Sequence, residues 1–272
     1  MHLELKHIKD FRVSTRDKCH GESHWDTGVW ANFVKYKDGY IGSARTGNCW
    51  DDDHIEVFHM DENFTQTYNK TLTPGEDPRT FLYKGVPHCL TWHPHGNPSV
   101  FDYKLINLVT EEIHHLKIDK YPVTETKMLG KNWVPLVKDN QLYFLLTIDP
   151  QVCIIKYDDN THECEWLTSD DNVQNITTSR GGTSCVFSKT HDCFLGIGHR
   201  THSGDRHAPF LFTMSSDLSE TKIHGDALNF DGVFDPLSLY ESDGKMYCCV
   251  GTSKVHLISS LESKASIYEV IL

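Results

Sequence analysis

Several protein classes are excluded by what the sequence lacks. No apolar run among its 272 residues approaches the roughly 20 residues that a transmembrane helix needs, so no membrane span is expected. The N-terminal segment lacks the hydrophobic core of a signal peptide, which predicts a cytoplasmic protein. Three Asn-x-Ser/Thr triplets, at Asn63, Asn69 and Asn175, point instead to a secretory context, but such triplets are common by chance.

Basic residues are also scarce. Lysine and arginine total 26 against 38 aspartate and glutamate residues, which gives a formal net charge of −12. Nucleic acids and anionic membranes attract basic surfaces, so no nucleic-acid partner is expected. The nine cysteines include no Cys-x-x-Cys pair, which argues against a zinc site or a disulfide framework and favours buried free thiols. Neither a metal nor a cofactor is expected.

Helical periodicity is weak, whereas one strand pattern recurs five times. Each copy is an alternating apolar strand, a turn with Asp, Asn or Gly, and a second apolar strand, and copies start about every 47 to 53 residues. This spacing predicts an all-β fold, a five-bladed β-propeller that forms one catalytic domain over residues 1–272. A β-sandwich is the alternative, although it would not explain the regular spacing. The predicted blades are residues 29–60, 78–120, 131–168, 180–223 and 234–271.

The segment Gly75-Glu76-Asp77-Pro78-Arg79 combines two adjacent carboxylates, a proline and a cation at the start of a predicted strand. Strand alternation should turn Glu76 and Asp77 to opposite faces, and Pro78 should favour an extended backbone at Asp77. A solvated turn is the alternative interpretation. In a propeller, however, the loop that enters the inner strand lies at the rim of the central channel, which would place Asp77 over an axial pocket.

Equivalent positions in the other blades carry polar or aromatic residues that would converge on the same pocket. A cluster of cations on an acidic chain would favour an anion such as phosphate. The candidates for binding phosphate are Arg45, Lys131, Arg180, His199 and Arg200. The candidates for binding a carbohydrate substrate are Glu76, Arg79, Asn132, Trp133, Asp149 and Asp235. Arg45 and Arg180 could alternatively form ion pairs between blades, and His199 could be a core histidine.

The ordered series of these short motifs resembles glycoside hydrolase family 130 and related five-bladed mannoside phosphorylases and mannosyltransferases. The motifs are Glu76-Asp77-Pro78-Arg79, Lys131-Asn132-Trp133, Gly181-Gly182-Thr183 and Gly198-His199. The resemblance implies that Asp77 is the general acid and that Lys131 and His199 contact phosphate. It also implies an inverting reaction on β-mannosides that uses inorganic phosphate, a sugar phosphate or a nucleotide sugar as substrate. The chain departs from many members in having Arg200 after His199, where they have glycine.

Two other functions remain open. An inverting hydrolase would need a second carboxylate, such as Asp149 or Asp235, about 6.5 to 9.5 Å from the acid to activate water. A propeller that binds sugar without catalysis would keep the aromatic residues and would not depend on Asp77.

Overall fold

The computed structural model describes residues 1–14, 29–46, 53–94, 101–118, 132–149, 152–168, 179–202, 206–225, 228, 232–253 and 264–272. These residues form 22 strands in five antiparallel or mixed sheets and no helix, which confirms the prediction of an all-β, five-bladed propeller. In the described part of the chain, no helix is long and apolar enough to cross a membrane. The assignment of the whole chain to one catalytic domain stays a prediction.

The first two blades are four-stranded antiparallel meanders. The first blade consists of β2 (Val29–Tyr36), β3 (Gly39–Thr46), β4 (His54–Asp61) and β5 (Gln66–Pro74). The second blade consists of β6 (Glu76–Tyr83), β7 (Val86–Pro94), β8 (Phe101–Asn107) and β9 (Ile113–His115). The first blade therefore extends past the predicted end at residue 60. The prediction missed β5 because this strand is polar and only partly buried and does not show the apolar alternation of an inner strand.

The third blade recruits a strand from the connection that precedes it. It consists of β10 (Lys117–Ile118), β11 (Val134–Lys138), β12 (Gln141–Thr147), β13 (Cys153–Tyr157) and β14 (Glu163–Trp166). The short β10 pairs in parallel with β14 at the outer edge. Residues 117 and 118 were predicted to belong to the second blade, and this assignment is wrong because they cover the exposed edge of the third.

The last blade joins both ends of the chain. The fourth blade consists of β15 (Ser179–Arg180), β16 (Val186–Ser188), β17 (Cys193–His202), β18 (Arg206–Ser215) and β19 (Thr221–His224). The fifth consists of β20 (Val233–Ser242), β21 (Lys245–Ser253), β22 (Lys264–Ile271) and the N-terminal β1 (Glu4–Phe11). The sequence repeat did not predict β1. Its antiparallel pairing with β22 ties the two termini together and covers the outer edge of the fifth blade.

Neighbouring blades contact one another around the whole ring. Ser43 Oγ lies 2.6 Å from Thr80 Oγ1 between the first two blades, and Arg79 bonds Asn132 between the second and third. The amide of Cys185 donates to Pro135 O, and Ser238 Oγ donates to Phe33 O. A Cβ on Gly182 would lie 2.7 Å from the Pro236 ring, so the fourth and fifth blades are also in close contact. The ring is therefore closed at all five junctions.

Apolar clusters fill the spaces between blades. Between the second and third blades, the Trp133 and Tyr103 rings stack with centroids 3.7 Å apart, and Trp133 is 1% exposed. The seven cysteines in the described residues are free, and six of them are buried, as the sequence predicts.

The central channel has one polar and one apolar half. A cavity of about 240 Å³ lies among Val34, Phe81, Val137, Val186 and Leu239, one residue from each of the five blades. The inner strands begin at the opposite end of the channel. Polar residues such as Asp77 and Asp235, at the starts of β6 and β20, lie at that end.

Candidate functional site

Asp77 lies in a β-bulge at the start of β6. Glu76 pairs with Trp92 and Arg79 pairs with Leu90, so three steps along β6 match two along β7. A bulge of this kind interrupts strand alternation and re-aims side chains. As a result Glu76 Oε2 and Asp77 Oδ1 lie 3.7 and 3.5 Å from the same atom, Arg45 Nη1, so the predicted opposite orientation is wrong.

The backbone at Asp77 is left-handed, with φ = 47°, so the predicted extended conformation is also wrong. Aspartate tolerates this region better than most residues, but the conformation still needs support from its surroundings. Three carbonyl groups in this segment each accept a hydrogen bond from a side chain of another strand. The pairs are Lys104 Nζ to Pro74 O (2.7 Å), Thr91 Oγ1 to Glu76 O (2.7 Å) and Asn32 Nδ2 to Pro78 O (3.0 Å). These bonds hold the bulge in place.

Arg45, Asp53, Glu76 and Asp77 form what we call the carboxylate cluster. Arg45 donates a hydrogen bond to Asp53 and lies within ion-pair distance of the other two carboxylates. Burial works against the charge of Arg45, but the three carboxylates outweigh it and raise its pKa. Burial raises the pKa of Asp53, and the Asp77 charge adds to this effect while Arg45 opposes it. Three acidic groups therefore share one cation, and the raised pKa of Asp53 favours a proton within the cluster.

Arg79 links this cluster to the other side of the channel. Its side chain is buried, and Nη2 donates a 2.6 Å hydrogen bond to Asn132 Oδ1. Burial lowers the Arg79 pKa, while the charges of Asp77 and Asp235 oppose the shift. A guanidinium stays protonated in proteins, so Arg79 is a fixed positive charge that acts on a carboxylate of each side.

Arg180, His199, His207 and Asp235 form what we call the histidine cluster. His207 Nδ1 donates a 2.5 Å hydrogen bond to Asp235 Oδ1, and His199 Nδ1 lies 3.7 Å from the same oxygen. The two imidazole rings stack with centroids 4.7 Å apart. Arg180 pairs with His199 across β15 and β17, which puts both side chains on one face of the sheet.

The two histidines differ in charge. Burial lowers the pKa of His199 to about 3, and the nearby Arg79 and Arg180 act in the same direction, so His199 is neutral at physiological pH. Burial would also lower the pKa of His207, but the hydrogen bond and charge of Asp235 outweigh it and raise that pKa. Burial works against ionised Asp235, yet its interactions with His199, His207 and Arg79 lower its pKa to about 2.

The ligand atoms of His199, His207 and Asp235 lie within 4.8 Å of one another, a spacing that a metal ion could use. Two guanidinium groups, Arg79 and Arg180, also act on His199. Their repulsion would oppose a divalent cation at this place, and the Asp235 carboxylate already accepts a hydrogen bond from His207. The cluster therefore fits an anion better than a metal.

The remaining predicted residues take different positions. Arg200 Nε bonds Ser179 Oγ at 3.3 Å and its guanidinium lies over the Phe210 ring, on the sheet face opposite to His199. Trp133 is enclosed between blades, with one ring face covered by Tyr103. Asp149 follows β12 and is partly buried. Lys131 lies outside the described residues. The binding roles of these four residues stay predictions.

The predicted cations are accompanied by carboxylates, and among the described residues of the two clusters and Arg79 the guanidinium groups do not outnumber them. Four carboxylates (Asp53, Glu76, Asp77 and Asp235) face three guanidinium groups (Arg45, Arg79 and Arg180). His199 adds no positive charge because it is buried and neutral. Positive charge is instead concentrated on the side of His207 and Arg180.

Asp53 and His207 were not predicted from the sequence. Both lie beside the start of a blade's third strand, just before β4 and near the beginning of β18. In an antiparallel meander, the third strand begins at the same end of the blade as the first strand, so its entry also lies at the rim. Polar residues at these entries, Asp51-Asp52-Asp53-His54 and Asp205-Arg206-His207, were the signal that could have found them.

The sequence matches no protein-family model and no curated protein. Its fold is nevertheless similar to solved propeller structures. The β-1,2-mannobiose phosphorylase from Listeria innocua matches with a TM-score of 0.62 at 10% identity, over 98% of this chain and 96% of that one. The exo-β-1,3-galactanase from Phanerochaete chrysosporium matches with a TM-score of 0.62 at 9% identity, over 98% of this chain and 64% of that one.

Other similar structures are longer. Bacteroides ovatus xyloglucan PUL GH43B matches with a TM-score of 0.57 at 11% identity, over 90% of this chain and 52% of that one. The chain thus spans about half the length of several structures that it matches, with 52 to 54% covered. At these identities the similarity establishes the fold, a five-bladed β-propeller of the kind found in these proteins. It does not establish the family.

Proposed function

We propose that this chain is an inverting carbohydrate-active enzyme that transfers a glycosyl group, most simply a β-mannoside phosphorylase or a related mannosyltransferase. Asp77 is the acid, and the histidine cluster holds phosphate or the phosphate of an activated sugar. The choice of mannose rests on the motif resemblance described above and agrees with the phosphorylase among the similar structures. Asp77 carries the proposal, because a bulge and a left-handed backbone orient its carboxylate at the channel rim.

The charge distribution supports this division of roles. General acid catalysis needs a group that can hold a proton, and the carboxylate cluster provides three acidic groups around one cation. An attacking phosphate needs cationic or hydrogen-bonding neighbours, and the opposite side provides Arg180 and His207. In the reaction, Asp77 protonates the glycosidic oxygen as its bond to the anomeric carbon breaks. A phosphate oxygen bonds that carbon from the other face, which inverts its configuration.

Inverting hydrolysis is the second candidate, and Asp235 favours it. This carboxylate belongs to the histidine cluster, and its lowered pKa of about 2 keeps it ionised, as a base that activates water must be. Its hydrogen bond from His207 reduces its basicity, which makes hydrolysis the weaker of the two proposals.

The first experiment incubates the protein with β-mannosides, with and without inorganic phosphate, and detects mannose 1-phosphate by phosphorus NMR. We expect phosphate-dependent turnover that falls by about 10²- to 10⁴-fold in Asp77→Asn, the usual effect of losing a general acid. Asparagine tolerates a left-handed backbone, so the substitution preserves the bulge. The matched control is Asp243→Asn, since Asp243 has φ = 53° in an exposed turn of the fifth blade.

The outcomes separate the candidate functions. Undiminished turnover in Asp77→Asn would contradict the acid assignment. Release of free mannose without any stimulation by phosphate would favour the hydrolase. Binding of mannosides with no turnover under either condition would favour a propeller that only binds sugar.

A further inference from the structure

The apolar cavity lies at the end of the channel opposite to the rim. Each of the five blades contributes a residue that lies within three residues of the end of its strand, namely Val34, Phe81, Val137, Val186 and Leu239. Phe81 follows Asp77 by four residues on β6, which corresponds to about 13 Å at the rise of an extended strand. The cavity is therefore a separate place from the two charged clusters.

The walls of the cavity offer little to water. Most of the described lining residues are valine, leucine, phenylalanine or proline, and those with an oxygen in the side chain are Ser184, Tyr240 and Glu241. A buried water needs about two to four polar partners, and an apolar cavity of about 150 Å³ stays dry and binds a benzene ring. The cavity of this protein, at about 240 Å³, is larger. Its volume therefore suits an apolar ring that carries one substituent.

Filling this cavity would improve the packing of the protein. Protein interiors are packed as densely as organic crystals, and few of their voids exceed a water molecule. Atoms that line a void lack contact partners on one side, and a ligand restores those contacts. An apolar ligand would thus contact all five blades at once.

The cavity is open to solvent beside two of its lining residues. Leu82 is 42% exposed, and Glu241 is exposed at the end of the buried stretch of β20. A ligand can therefore enter from this end of the channel without separating the blades.

Glu241 is the only charged group among the described lining residues. Cys185 and Tyr240 also line the cavity and are neutral, because burial raises the pKa of each side chain. Lys245, in the turn that follows Glu241, forms its ion pair with Glu269. A carboxylate at the mouth repels an anion and attracts a cation, although an exposed ion pair is weak.

We infer that the cavity is a second ligand site of this protein. It takes a small aromatic or aliphatic molecule without negative charge and favours one that ends in an ammonium group. The apolar part of the ligand occupies the cavity, and the ammonium group lies beside Glu241 at the mouth.

Three matched probes test this inference in the intact protein. Toluene, benzylamine and phenylacetate share a benzyl group and carry no charge, a positive charge and a negative charge. Methyl NMR follows Val137, Val186 and Leu239 during each titration. We expect toluene and benzylamine to shift these methyl resonances, with benzylamine binding about threefold more tightly than toluene, and phenylacetate to bind least. Resonances that stay unmoved with both toluene and benzylamine would overturn the inference.

Variants distinguish the cavity from weak binding at the surface. Val137→Phe fills part of the cavity and should weaken the binding of toluene and benzylamine about 10-fold, since the probes lose buried apolar contact. The matched control is Val109→Phe, which adds the same side chain at a position that is 41% exposed on the second blade and should bind as the wild type does. Glu241→Gln, at an exposed position, should remove the advantage of benzylamine over toluene.

Two results would contradict the inference. One is equal affinity of Val137→Phe and the wild type for toluene, and the other is phenylacetate that binds as tightly as benzylamine. None of these measurements involves turnover, so their outcome is independent of whether the protein transfers a glycosyl group.

Discussion

The two sides of the channel rim are built from equivalent blade positions but have opposite electrostatic character. In the carboxylate cluster, one guanidinium, Arg45, is shared by three carboxylates. In the histidine cluster, one carboxylate, Asp235, is shared by two imidazoles beside Arg180. The first arrangement can hold a proton and the second can receive an anion. A repeated fold can thus place groups of opposite electrostatic character on one rim.

Substituting Arg79 is expected to have the largest effect on stability, because its charge acts on both sides of the rim. Arg79→Met preserves much of the buried side-chain volume but leaves Asp77 and Asp235 without this cation and Asn132 without its donor. Removing one member of a buried ionic network costs about 3 to 5 kcal/mol. Urea unfolding should show this loss, whereas Arg12→Met, at an exposed position, should unfold as the wild type does. An unchanged unfolding midpoint would mean that the two sides do not depend on Arg79.

A smaller effect is expected from Lys104, which supports the carboxylate side alone. Its Nζ lies 2.7 Å from Pro74 O, 3.0 Å from Thr73 Oγ1 and 3.3 Å from Asp102 Oδ2. Lys104→Met should destabilise the protein by about 2 kcal/mol, since hydrogen bonds to a buried charged group are worth about 1.5 to 3 kcal/mol.

The same substitution should reduce turnover by releasing the backbone that orients Asp77, while phosphate binding at His207 stays unchanged. Lys245→Met is the control, because Lys245 forms an exposed ion pair with Glu269 in the fifth blade. Equal losses of turnover and of phosphate affinity in Lys104→Met would contradict the separation of the two sides.

The smallest effect concerns His199 and appears only on acidification. Its pKa is about 3 in the folded protein and near 6.5 when unfolded, so the unfolded state takes up a proton first as pH falls below 6.5. Folding stability should therefore drop by about 1 kcal/mol more between pH 6.5 and 5.5 in the wild type than in His199→Phe. Thermal or urea unfolding at both pH values measures this difference. A wild-type slope in His199→Phe would show that His199 is not buried and neutral.

The sequence predicted the fold more completely than the site. The repeat of apolar hairpins with Asp-Gly or Asp-Asn turns identified five blades, because alternation and turn chemistry are local properties. β5, β10 and β1 were missed or misassigned, since these outer strands are short or polar and pair according to which sheet edge needs covering. At the rim, the sequence pattern pointed to residues at the start of a blade's first strand, such as Asp77. It did not point to Asp53 and His207, which lie at the start of a blade's third strand.

By itself, the sequence determined the all-β class, the number of blades and the end of the channel at which polar residues gather, because all three follow from patterns within about 50 residues. Only the tertiary structure decided how those residues are paired. A single bulge turned Glu76 and Asp77 toward the same arginine, against strand alternation. Burial made His199 neutral, while contact with Asp235 favoured the charged form of His207. These outcomes depend on distances between blades and on exclusion of water, which no local pattern encodes.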